Sequence, residues 1–290
     1  MATASYANIL EKYDRFRSLC AALSLAAEVE GGRFGLYAGR IRHLSAQMQR
    51  IRDGEPEGPV LVQLAPDLPR YLAALAETRE AGAMVPFLTA CPRELTAPRL
   101  RAMLAGPELP VEENQASNQA RNIQFELFLA TLLSGVGISV TLGEPDLRCK
   151  VDGLTALIAC KRLFSVRKLN KRINEATLQL SRQLASLPQA WGVVAISLSR
   201  VLAVTDRSEA INNQSEGLHK LDLRIKGLVE RRARWRQTRE AQAILFQLSS
   251  IFTNAATAKI ELGGFTTMYG TGPVCEKLAI RIQRIEDGVQ

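Results

Sequence analysis

The stretch EPDLRCKVDGLTALIACKR, from Glu144 to Arg162, decides how this chain is read. Strands are expected over Asp146–Val151 and Leu154–Cys160, and Asp152-Gly153 between them is a two-residue hairpin signal. An antiparallel pair of this kind brings Asp146, at the entry of one strand, to the same edge as Lys161, at the end of the other. A carboxylate and an ammonium at neighbouring strand ends can hold a divalent cation and polarise a water beside it. Taken singly, each has a plainer reading. Pro145-Asp146 is common strand-entry punctuation, and a lysine at a strand end often reaches into solvent.

Outward from this hairpin, helical spacing predicts a helix from Ser117, a plausible N-cap, to Leu133, ending at the glycines of SGVG. Within it Glu126 has Ile123, Leu129 and Ala130 as helical neighbours. A carboxylate on an apolar face needs a cation to compensate it, unless it sits at the edge with its head in water. A strand is expected at Ile138–Leu142 before the hairpin. A helix at about Arg167–Ala185 and an apolar, β-branched strand at Trp191–Ser199 follow it. A long polar helical region (Glu209–Glu240) and two strand-like runs, Ala243–Phe252 and Ala258–Thr266, complete this part. The order helix–β–β–β–helix–β describes an α/β domain with a mixed sheet covered by helices.

The earlier part differs in character. Helices are expected over residues 5–52 with a break at Gly31-Gly32, then a loop at Asp53–Pro59, then shorter helices at Leu68–Ala81 and Ala97–Leu104. Residues 1–110 thus form an α-helical N-terminal domain, and residues 111–290 form the α/β domain. Gly106–Gln115 is the candidate linker. Of the +8 net charge, residues 1–110 carry 13 bases and 12 acids, a net of +1; residues 111–290 carry 24 and 17, a net of +7. A basic excess confined to one part suggests a polyanionic partner there. Between Lys161 and Arg172 six of twelve residues are basic and none is acidic. Arg162, Arg167, Lys168, Lys171, Arg172 and, further on, Arg182 are the expected nucleic-acid contacts. The basic stretch Arg224–Arg239, with Trp235 placed to stack on a base, is either a second contact or an amphipathic surface helix.

Five scattered cysteines and two histidines (His43, His219) give no zinc framework and suggest free thiols in a reducing, cytoplasmic setting. No apolar run approaches the length of a membrane span, so no membrane partner is expected.

Taken in order, Phe125-Glu126, Glu144-Pro145-Asp146, Ile158-Ala159-Cys160-Lys161-Arg162 and Ala176-x-x-Gln179-Leu180 resemble the PD-(D/E)xK nuclease superfamily, the restriction-endonuclease-like group in particular. The resemblance covers roughly residues 117–200. It implies a restriction-endonuclease-like mixed sheet flanked by helices and a metal-dependent DNA endonuclease using Mg²⁺ or Mn²⁺. Asp146 and Glu126 would be metal ligands, Lys161 would activate the water or stabilise charge, and Gln179 would orient substrate or lysine. The central acid of the pattern falls on Ala159. Three readings of that alanine stand open: the acid has moved to Glu175 on the next helix, which then joins the metal ligands; the chain is a natural pseudo-nuclease that binds without cutting; or alanine has been substituted for the acid. The resemblance also makes anti-phage defence, restriction or repair a natural setting, with DNA (or RNA) as partner and a homo-oligomer or larger defence complex as the assembly. A non-catalytic nucleic-acid-binding module is the alternative, and a scaffold role for the helical part is a third.

Overall fold

The computed structural model describes residues 6–114, 118–202, 209–254 and 260–286. Helices α1 (Tyr6–Ala22), α2 (Ala26–Gly31), α3 (Arg33–Arg52), α4 (Glu57–Leu64), α5 (Leu68–Ala90) and α6 (Arg93–Leu104) make a helical N-terminal region. After them come α7 (Gln119–Gly135), β1 (Ser139–Leu142), β2 (Leu147–Val151), β3 (Leu154–Arg162), α8 (Leu169–Leu184) and β4 (Ala190–Ser197). The chain continues through α9 (Ser199–Leu202), β5 (Glu209–Ile211), α10 (Gln214–Arg232), β6 (Ala243–Asn254), β7 (Ile260–Gly270) and α11 (Pro273–Glu286). The strands form one mixed sheet in the order β1-β2-β3-β4-β6-β5, with β7 along the other side of β6. β1, β2 and β3 are antiparallel, β3, β4 and β6 run parallel, and β7 is antiparallel to β6. The protein is therefore α/β, a mixed sheet flanked by helices and preceded by a helical region, as the sequence predicts.

The β2–β3 hairpin forms where the sequence places it. Asp152 (φ 46°) and Gly153 (φ 82°) both adopt the positive φ that the tight turn demands, which an aspartate tolerates and a glycine adopts freely. Leu147 pairs with Ile158 and Val151 with Leu154. Because side chains alternate across a strand, Ile158 and Cys160 of β3 point into one core, and Leu157 and Ala159 into the other. The first core lies between the sheet, α7, α11 and the N-terminal helices; the second lies beneath α8 and α10. The α8 stripe Leu169, Ile173, Ala176, Leu180 and Leu184 is buried as its spacing predicts.

Some expectations fail for identifiable reasons. The loop expected at Asp53–Pro59 is shorter, because α4 starts at Glu57 and tolerates Pro59. That residue falls in the first turn, where amides have no intrahelical partner. The helix expected to end at Ala81 runs on to Ala90 through Pro86, since Met84, Phe87 and Leu88 continue its buried face. The region expected to be helical from Glu209 begins instead as β5. Its helix stops at Arg232, because the Arg234 amide bonds the Asn170 side chain on α8 at 2.7 Å. The proposed cap Ser117 lies outside the described residues.

The segment expected as a linker is anchored at its end. The Glu113 side chain is wholly buried and accepts hydrogen bonds from Arg121 (3.2 Å), Arg162 (3.1 Å to each oxygen) and Arg200 (2.8 Å). Arg121 and Arg33 both bond Glu77 on α5, at 2.7 and 2.6 Å. Burial works to raise the Glu77 carboxyl, and the Arg121 and Arg33 charges outweigh it, holding it below its ordinary value. Five elements (α3, α5, α7, β3 and α9) are thus tied together by charge inside the protein.

Candidate active site

Asp146 sits immediately before β2, and β3 lies directly beside it. Its Oδ2 accepts the backbone N–H of Cys160 at 2.6 Å. The amide of Gln179, on α8, donates to the Pro145 carbonyl at 2.9 Å and to Asp146 Oδ1 at 3.4 Å. The same amide's oxygen accepts from Lys161 Nζ at 2.7 Å. One glutamine side chain therefore bridges the carboxylate and the ammonium. Asp146 and Lys161 converge on the α8 face of the sheet, as the hairpin register predicts.

Glu126 approaches from α7. Burial, with the nearby Asp146 charge adding to it, pushes its carboxyl up to about 8, while Arg99 and Lys161 pull it back. Burial likewise raises Asp146, against the Cys160 N–H, Lys161 and Gln179, which favour its ionised form. Glu126 makes no hydrogen bond or ion pair among the described residues, so it is a half-buried acid with spare coordinating capacity. In metal-free buffer the folded chain holds a Glu126 proton that the unfolded chain releases above about 4.5. Stability is then fully present below that pH and declines as pH rises towards about 8. Glu126→Gln is expected to flatten this part of the pH–stability curve, measured by urea unfolding at several pH values. An unchanged slope in the variant refutes the assignment.

Ala159 is fully buried under α8. The pairing of Leu147 with Ile158 sets it across from Asp146, on the same face as Lys161. Glu175, the candidate replacement acid, is engaged elsewhere: Arg172 binds it at 2.7 Å and Lys171 lies at 4.0 Å. Among the described residues, no three potential metal-binding side chains are gathered in one place. Asp146 and Glu126 are the partly buried carboxylates at the site. Mg²⁺ keeps several waters and is commonly held by one or two carboxylates, so this pair suits it.

Two neighbours escaped the sequence reading. Glu144 is exposed, yet its charge reaches both Glu126 and Asp146. Its place beside the Pro-Asp pair was the available signal. Arg99 comes from α6, and nothing local could connect it to Glu126. Of the expected nucleic-acid contacts, Arg162 is corrected. It is buried against both oxygens of Glu113 and lies over the Phe164 ring, which leaves no face for a phosphate. Arg167, Lys168, Lys171 and Arg182 are exposed, and Arg172 is partly exposed and paired with Glu175. Trp235 is half-buried against the core beneath α8, not free to stack.

All five cysteines are unpaired, and four are buried. Among the described residues no helix is long and apolar enough to cross a membrane. Compared with known proteins, the chain matches no protein-family model, no curated protein and no solved structure.

Proposed function

We propose that this protein is a metal-dependent nuclease of restriction-endonuclease-like fold, hydrolysing phosphodiester bonds in DNA. The observation that carries the reading is the Asp146–Gln179–Lys161 bridge, with Glu126 beside Asp146. The succession of helix acid, Pro-Asp at a strand entry, lysine at the paired strand's end and glutamine on the next helix supports it, within a mixed sheet flanked by helices.

Asp146 and Glu126 would hold Mg²⁺ or Mn²⁺, which supplies Lewis-acid polarisation of the phosphate and of a water. The Cys160 N–H fixes one Asp146 oxygen and leaves the other turned towards Gln179. Gln179 restrains the Lys161 ammonium by a single hydrogen bond to an uncharged acceptor, so its remaining protons can reach a developing phosphorane charge. The second reading, a nucleic-acid-binding protein without cleavage, draws on Ala159 and on the engagement of Glu175 with Arg172.

One experiment tests both. Plasmid and linear DNA are incubated with Mg²⁺ or Mn²⁺ and either the parent chain or Ala159→Glu, whose new carboxylate would start across from Asp146. Cleavage by the parent is expected, with a gain of about tenfold or more in Ala159→Glu, the scale on which changes around a metal alter activity. Equal cleavage by the two chains means that no acid is missing and restores Glu175 as a candidate. Absence of cleavage by both overturns the nuclease reading in favour of binding alone.

A further inference from the structure

Two basic segments some sixty residues apart in sequence lie side by side. Asn170, at the start of α8, donates to the Arg232 carbonyl at 3.0 Å and accepts the Arg234 N–H at 2.7 Å. At the far end, Arg239 donates to the carbonyls of Leu187 and Ala190, just beyond α8, at 3.1 and 3.4 Å. Gly192 of β4 accepts the Gln242 N–H and donates to the Arg239 carbonyl, each at 3.0 Å. A Cβ at Gly192 would come within 1.9 Å of the Glu240 carbonyl, so glycine lets the chain lie this close. The coil after α10 is thus pinned along the length of α8. Trp235 faces the core, while its neighbours Arg234 and Arg236 face solvent.

The result is a surface bearing Arg167, Lys168, Lys171, Arg232, Arg234 and Arg236, all exposed. Among the described residues only Lys171 has an acidic partner, Glu175 at 4.0 Å, and Lys171 itself is 73 % exposed. The first turn of α8 holds no acid. A helix N-terminus carries partial positive charge and favours anions, so bases gathered there repel the helix dipole as well as each other. Such an arrangement is relieved by an external polyanion.

We propose, building on the nuclease reading for where the strand leads, that the start of α8 and the end of α10 with the coil after it (residues 232–236) form one surface that tracks the phosphate backbone of a nucleic-acid duplex. Because Trp235 is packed inward, recognition is by backbone charge and not by stacking, and binding is independent of base sequence. Lys171 and Gln179 are eight residues apart on one helix, about 12 Å. The surface therefore begins roughly 12 Å along α8 from the residue that bridges Asp146 and Lys161.

The test is binding of a short fluorescent duplex to the full chain in EDTA, between about 50 and 200 mM salt. Arg234→Glu/Arg236→Glu and Lys168→Glu/Lys171→Glu are compared with Arg15→Glu/Arg42→Glu, the same charge change on the N-terminal helices. Each of the first two pairs is expected to weaken binding and to make the log–log salt slope shallower by about 1.8, or 0.9 for each phosphate that is no longer neutralised. The control pair leaves it unchanged. Duplexes of unrelated sequence bind alike. In whichever chain cleaves, the coil variant raises KM and spares kcat. Equal losses in the control pair, or an unchanged salt slope in the coil variant, overturn the surface. Loss of binding to anionic lipid vesicles with duplex binding intact overturns it in favour of a membrane. Weakened binding with no cleavage by any chain keeps the surface and retires the nuclease; unchanged binding with Lys161-dependent cleavage does the reverse.

Discussion

Lys161→Ala is expected to lower the cleavage rate of the DNA-cutting chain, parent or Ala159→Glu, by about 10²–10³-fold, the cost of removing one preorganised group from developing transition-state charge. The fold should survive. Lys161 makes one hydrogen bond, to Gln179, and no ion pair among the described residues. Its loss should therefore cost roughly 1.5–3 kcal/mol, the range for a hydrogen bond with a charged partner. Lys161→Arg should rescue little, because a planar guanidinium cannot reproduce a compact ammonium held by a single amide oxygen. Gln179→Ala should give a smaller loss, since it frees both partners while leaving their charges in place. Single-turnover cleavage alongside urea unfolding separates the two effects. Cleavage by Lys161→Ala within a few-fold of its parent would sink the mechanism.

Glu113→Ala is expected to be the most destabilising single change in the protein. It removes the common acceptor of Arg121, Arg162 and Arg200, and its own side chain has no exposed surface. Breaking a buried ion pair by removing one partner typically costs about 3–5 kcal/mol, because the remaining charge is left unpaired in a poorly solvating interior. Here three guanidinium groups share the loss, and among the described residues only Arg121 keeps a direct ion pair, with Glu77. A fall in melting temperature of roughly 10 °C follows for a chain of this size. Glu11→Ala, which removes an exposed pair with Arg15, should be nearly neutral by the same measurement. A cost below about 1 kcal/mol for Glu113→Ala would mean that water reaches these arginines and that the clamp is dispensable.

What the sequence disclosed follows from the range of the interactions involved. The β2–β3 hairpin and the α8 stripe rest on turn chemistry and periodicity, both contained within a few residues, and both appear within one or two residues of expectation. The convergence of Asp146 and Lys161 followed from the hairpin register, with Gln179 as their bridge. What escaped was set by interactions between distant parts of the chain. Arg162 looks like any other base in a basic run until Glu113, 49 residues earlier, is seen to hold it. The helix expected to continue after Arg232 is ended by Asn170, 62 residues away. Pro86 reads as a helix breaker, yet burial of Met84, Phe87 and Leu88 on either side carries α5 through it. One local pair was within reach: Glu175 shares the polar side of α8 with Gln179, and its i, i+3 spacing from Arg172 already allowed the ion pair that forms.

The turn at Asp152-Gly153 has a reach beyond its own two residues. Asp146 lies six positions upstream of it and Lys161 eight downstream of Gly153, so their meeting is a matter of counting from that corner. One residue inserted on either side of the corner would deliver the acid or the amine to the wrong surface of the sheet, although no residue of the site had been touched. The hairpin's length thus acts as a gauge for the chemistry, and tolerance to insertion should be lowest at a spot some 20 Å along the strand from the groups it aligns.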